Sequence, residues 1–232
     1  MAISRTTLGT LLASLLCLVP AGAQAQVVLD SPYRFIETTQ AAGPFAGYLA
    51  TSRGPIGLGP SSAAIFGGRY GIRVSGPFVV EAELAYVPST RMVLDTIPPD
   101  TAIVTIGETD MPLALARAAL RFNVTGARTW HSLQPFVLFG AGVAIDLGGE
   151  SSLDEDLPED VRFDFGTSFA ADFGAGIEWF ISRRASLRVD ARNLLWRLET
   201  PPAFLLGARG DTLADTEWTQ NFFVSVGLSL QL

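Results

Sequence analysis

The chain has no lysine, one cysteine and one histidine in 232 residues. The cysteine, Cys17, lies in an N-terminal apolar run, preceded by Leu16 where a lipoprotein signal would want a small residue. Beyond that run there is no thiol, which excludes disulfides, thiolate catalysis and cysteine-metal sites. With His131 alone, no second imidazole is available for a Ser/His or His-metal arrangement. Charge is sparse as well: Asp, Glu and Arg make up 17% of the chain, and a net charge of -7 offers nucleic acid no basic patch. Long apolar runs are also missing, since the one candidate, Leu8 to Val19, falls short of the roughly 20 residues a helical membrane span needs.

That run reads differently. Arg5 precedes it, and Pro20 and the small residues Ala21 to Ala25 follow. A charged start, a short apolar stretch and an Ala-x-Ala site describe a secretory signal peptide, residues 1–25, with cleavage expected after Ala25 or alternatively Ala23. Losing Arg5 takes the net charge from -7 to -8. The exported chain stays apolar (48% hydrophobic, mean hydropathy +0.33) without a helical span, which points to the outer membrane of a Gram-negative-type cell.

What the chain does have is alternation of period two, clearest from Thr167 to Leu198. In the first arm Phe169, Ala171, Phe173, Ala175, Ile177, Trp179 and Ile181 share one parity, and Asp172, Gly174, Gly176 and Glu178 the other. In the second arm Leu187, Val189 and Ala191 oppose Arg188, Asp190 and Arg192. The apolar parity then changes at Leu194, Trp196 and Leu198, and a bulge near Asn193 would account for the change. Such charges cannot face a dry core, and so long an apolar row cannot be left in water. The apolar face is therefore expected to meet lipid and the charged face to look into a polar interior, the pattern of a transmembrane β-barrel.

Further strands are expected at about Pro44 to Thr51, Ala63 to Ser75, Phe78 to Val87, Leu113 to Val124, Gln134 to Leu147 and Trp218 to Leu232. Each is near the roughly 9 to 11 residues of a tilted spanning strand. Short turns alternate with long loops, of which Pro88 to Asp110 should project as a hairpin and Gly148 to Gly166 is acidic. The fold class is all-β: an eight-stranded antiparallel transmembrane up-and-down β-barrel over 44–232, with 26–43 as a periplasmic lead-in. A soluble lipocalin-like barrel is the competing fold, with its apolar row inside and its charged row in water.

The stretches LQPFVLFGAGVAID, FGAGIEWFISRRASLRVDARN and FFVSVGLSLQL, with this architecture, resemble the small OmpA/OmpX-type outer-membrane barrels over about Pro44 to Leu232. The resemblance implies a monomer in outer-membrane lipid, with a final strand read by the barrel-assembly machinery. The aromatic that usually closes that strand is here Leu232.

Parity assigns Arg69, Arg73, Arg117, Arg121, Arg188 and Arg192 to the lumen, together with Glu81, Glu83, Asp146, Asp172, Glu178 and Asp190. An eight-stranded interior is just wide enough to be filled by side chains, and unpaired charge there is costly. Six against six therefore reads as a salt-bridged plug; the alternative is a narrow path for solutes. The acidic stretch Asp154 to Asp160 has carboxylates that suit a hard cation but lacks the spacing and glycine of a calcium loop, so a solvated loop is expected. Trp179, Trp196, Trp218 and Tyr86 lie near strand ends, as in an aromatic girdle. Some barrels of the resembling kind are lipid-modifying enzymes with a histidine near the outer leaflet, whereas His131 sits in an expected periplasmic turn. No catalytic residue, cofactor or metal is assigned. The expected function is a non-catalytic surface or envelope-structural protein; the alternative is passage or binding of small solutes or apolar ligands.

Overall fold

The computed structural model describes residues 31–97, 102–149, 151–205 and 212–232. The expected signal peptide, residues 26–30 of the lead-in and Glu150 of the acidic loop lie outside the described residues. The described strands are β1 (Tyr33–Phe35), β2 (Gln40–Ala50), β3 (Ala63–Ser75), β4 (Phe78–Val87), β5 (Thr90–Ile97), β6 (Ala102–Asp110), β7 (Leu113–Asn123), β8 (Arg128–Trp130), β9 (Leu133–Asp146), β10 (Thr167–Phe180), β11 (Ala185–Glu199) and β12 (Thr216–Gln231).

Eight of them, β2, β3, β4, β7, β9, β10, β11 and β12, pair antiparallel in that order, and β12 pairs back onto β2. Closure leaves no edge strand with a row of unpaired N–H and C=O groups, the condition a sheet must meet in a medium without water. β5 and β6 form a separate two-stranded sheet, the hairpin expected between Pro88 and Asp110. The lead-in contributes β1, which pairs with β8. β2 begins at Gln40 rather than Pro44, so the last residues assigned to the lead-in belong to the barrel wall.

Period-two alternation explains the wall. Along β4, Val79, Glu81, Glu83, Ala85 and Val87 are buried while Phe78, Val80, Ala82, Leu84 and Tyr86 are exposed. The outward rows of the other strands match, with Phe66, Phe139, Phe173, Ile177, Phe222, Val226 and Leu230 all exposed. This closed apolar belt is the reverse of a water-soluble barrel and removes the lipocalin-like alternative: the charged row faces in.

The bulge expected near Asn193 does not exist. Asn193 pairs in unbroken register with Phe173 on one side and Phe222 on the other. Ser186, Arg188, Asp190, Arg192, Leu194, Trp196 and Leu198 all point inward. Parity stays constant and the interior itself changes, from charged to apolar. Among the described barrel pairings the register shifts between Arg73 and Ser75, beside the tight β3–β4 turn, where Gly76 takes φ +47.

The termini end is fixed by Leu232, whose N–H donates to the Gln40 carbonyl, and by the short turns after β3 and β10. The opposite, loop end carries the connections between β2 and β3, β4 and β7, β9 and β10, and β11 and β12.

Candidate functional site

The interior is the candidate site, and its chemistry runs in layers along the barrel axis. In the half nearer the termini, β3 supplies Arg69, β4 Glu81 and Glu83, β7 Arg117 and Arg121, β10 Asp172 and Glu178, and β11 Arg188, Asp190 and Arg192, all buried. These five arginines and five carboxylates form one connected lattice. Asp172 meets Arg117 and Arg192 at 3.5 Å each. Glu83 meets Arg117, Arg192 (3.0 Å) and Arg69 (3.6 Å). Asp190 accepts from Arg69 and Arg188 at 2.8 Å and from Arg192 at 2.9 Å. Glu81 joins Arg188 (2.7 Å) to Arg121 (3.2 Å), and Arg121 reaches Glu178 at 2.9 Å. Ser186 and Gln231 donate to Glu178, and Thr38 of the lead-in donates to Gln231, which carries the chain of hydrogen bonds to the termini end.

Three rings insert among the guanidiniums. Arg69 stacks over Phe45 at 4.4 Å, Arg188 and Arg121 over Phe136 at 4.3 and 5.0 Å, and Arg192 and Arg117 over Phe223 at 5.2 and 5.3 Å. Stacking lets a guanidinium use its weakly hydrated faces while its edge donates to carboxylates. Gly176 makes the room: a Cβ there would lie 2.5 Å from the Phe136 ring. Asp190 also accepts from Ser225, which takes a hydrogen bond from Arg69.

Above this lattice the interior is mainly apolar, its buried polar side chains Ser168, Thr219 and Asn221 being hydrogen-bonded to backbone. Phe45 and Phe223, edge to face at 6.0 Å, border it. Leu49, Ile65, Val87, Leu113, Leu115, Ala170, Leu194 and Trp196 fill the barrel beyond them. The loops complete the layer: Leu58 from the first, Val93, Leu94 and Met111 from the hairpin connection, Leu157, Val161, Phe163 and Phe165 from the acidic loop, and Phe204 from the last. Phe165 packs edge-on against Trp196 at 5.8 Å.

No protein-family model matches the chain, and no curated protein matches it. Among solved structures it is similar to the outer-membrane protein OprG of Pseudomonas aeruginosa, with 12% identity and TM-score 0.53 over 87% of this chain and 98% of that one. It is also similar to Neisserial surface protein A, with 13% identity and TM-score 0.48 over the same shares. The fold is that of a small outer-membrane barrel.

Within that outer-membrane barrel, ten of the twelve residues assigned to the lumen charge network come together, and two do not. Arg73 has inward parity but sits at the termini end, half-buried, donating to the Ile36 carbonyl at 2.8 Å. Asp146 has inward parity at the loop end and accepts from the Gly148 N–H at 2.8 Å. Trp196 is no girdle residue, being fully buried inside the barrel, whereas Trp179, Trp218 and Tyr86 are exposed outside.

The acidic loop is only in part solvated. Asp154, in the four-residue helix α1 (Ser152–Glu155), is buried against Arg91, whose guanidinium stacks over Phe163 at 5.8 Å. Glu155, Asp156, Glu159 and Asp160 are exposed. Among the described residues no three His, Asp or Glu side chains gather in a metal-binding group. His131 lies in the β8–β9 turn at the termini end, its N–H bonded to the Pro32 carbonyl. The aromatic rings and the serine within the lattice were missed in the sequence although parity had marked them, because Phe45, Phe136 and Phe223 look like lipid-facing residues when read by hydropathy alone.

Proposed function

We propose that the protein is a non-catalytic integral protein of the outer membrane with a surface or envelope-structural role, and that its interior conducts neither ions nor solutes. The observation that carries this reading is the two-layer filling: a neutral lattice of five arginines and five carboxylates under a layer of packed apolar side chains. An ion entering the first layer would have to displace charge-assisted pairs, and in the second it would meet mainly apolar side chains, with Ser168, Thr219 and Asn221 already hydrogen-bonded to backbone. The loop end then faces outside the cell, with the hairpin β5–β6 and the exposed carboxylates available to external partners.

A second reading, passage of apolar ligands, draws on the apolar upper layer. The cleft beside Leu58, Phe163 and Leu198 holds about 20 Å³, too small for more than a water, so this route requires the acidic loop to swing away.

Single-channel recording of the refolded protein in planar bilayers tests the proposal. It expects a silent wild type and leak in Arg117→Ala or Glu83→Ala variants; stable wild-type steps would overturn it.

A further inference from the structure

At the termini end, residues 34–38 pass across the turns that follow β8 and β10 and enclose a cleft of about 860 Å³. The segment is held in place. Tyr33 to Phe35 pair with Arg128 to Trp130, Arg128 stacks over the Phe35 ring at 4.7 Å, and Arg73 anchors the Ile36 carbonyl. The cleft is thus built by the fold, and its volume lies in the range of ordinary small-ligand sites.

Besides hydroxyl side chains such as Thr38 and Ser182, its lining has an apolar and a cationic part. Phe35, Ile36, Phe180 and Ile181 are apolar, and Arg34, Arg183 and Arg184 bring three guanidiniums. Inside the barrel every lattice arginine meets a carboxylate; these three make no ion pair among the described residues, although Glu37 also lines the cleft. Phe35 and Ile181 are exposed at 67% and 56%, and Trp179 at the foot of β10 continues the row into the lipid-facing belt. An anionic group flanked by apolar chains, entering from the bilayer side, matches that lining. Guanidiniums bind phosphate oxygens through paired N–H donors, and a Trp at a strand end marks the headgroup level.

We infer that this cleft holds an anionic phospholipid of the adjoining leaflet, with its phosphate among Arg34, Arg183 and Arg184 and an acyl chain along Phe35, Phe180 and Ile181. The shared chemistry is a phosphate, and the assignment is to the lipid rather than to the free ion.

The test is native mass spectrometry of the full chain refolded in nonionic detergent containing equimolar phosphatidylglycerol and phosphatidylcholine. The wild type should retain phosphatidylglycerol with a preference of at least about tenfold, and an R34Q/R183Q/R184Q variant should lose that preference. An R53Q variant, changed at the loop end, should keep it. Equal retention of the two lipids by the wild type, or an unchanged preference in the triple variant, overturns the inference. So does loss of the preference on adding inorganic phosphate, which would assign the cleft to the free ion. If the triple variant does not refold, R183Q and R184Q, each in an exposed turn, must each lower the preference for the inference to stand.

Discussion

Replacing Asp190 by asparagine keeps the shape of the side chain and removes one charge from the centre of the lattice. One carboxylate oxygen of Asp190 accepts from Arg69 and Arg188, the other from Arg192 and Ser225. An amide turns one of those oxygens into a donor facing two donors and leaves five buried arginines against four carboxylates. Removing one partner of a buried pair costs about 3–5 kcal/mol, because the remaining charge stays desolvated. At about 1.4 kcal/mol per decade this is a loss of roughly two to four decades in the folding equilibrium. Equilibrium unfolding in lipid vesicles, followed by tryptophan fluorescence and by heat-modifiable gel mobility, measures it. Asp146→Asn, which lies outside the lattice, should cost less than about 1 kcal/mol. A second change, Arg69→Gln in the Asp190→Asn background, restores the charge balance and should recover part of the loss, a coupling that a double-mutant cycle isolates. If Asp190→Asn unfolds within about 1 kcal/mol of the wild type, the lattice does not hold the barrel together and the reasoning fails.

Phe139→Arg, on the exposed face of β9, should cost about 2–4 kcal/mol in the same vesicle assay, as a charge near mid-bilayer does; a neutral result would remove Phe139 from the lipid belt. Single-tryptophan variants should divide by side: with lipids brominated along the acyl chain, one keeping only Trp218 is quenched and one keeping only Trp196 is not. Arg91→Ala should free the acidic loop from the hairpin, and proteolysis of residues 148–166 in intact vesicles should speed up about tenfold, while barrel melting changes little. Gly176→Val should abolish refolding or drive the Phe136 ring out of the lattice, seen as a lost folded band on the gel.

The wall was legible in the sequence because parity is a local property: a residue's neighbours two positions away decide which face it joins. Depth is not local. Arg73 and Asp146 have the right parity, yet pairing needs a partner at the same height on another strand, and that height follows from register around the whole closed sheet. The upper interior was hidden for a related reason. Hydropathy separates lipid-facing from lumen-facing residues only while the lumen is polar; at Leu194, Trp196 and Leu198 the inward face is apolar while Asn193, Arg197 and Glu199 lie on the outward face, so a constant parity looks like a slip. The acidic loop misled in the same way. Its carboxylates dominate the composition, while Leu157, Val161, Phe163 and Phe165 do the packing.

The lattice residues also have an order in time, since a chain meets its strands one after another. Counting only lattice charges from the first, β3 brings one positive, β4 two negative, β7 two positive, β10 two negative, and β11 one net positive. The running total swings between plus one and minus one and reaches zero when β11 arrives, before β12 closes the ring. A sheet assembled in chain order therefore never holds more than one uncompensated charge at any stage. Exchanging the signs of β4 and β7 would keep the finished interior neutral and leave the half-built sheet with a surplus, so the native arrangement favours assembly as well as the completed barrel.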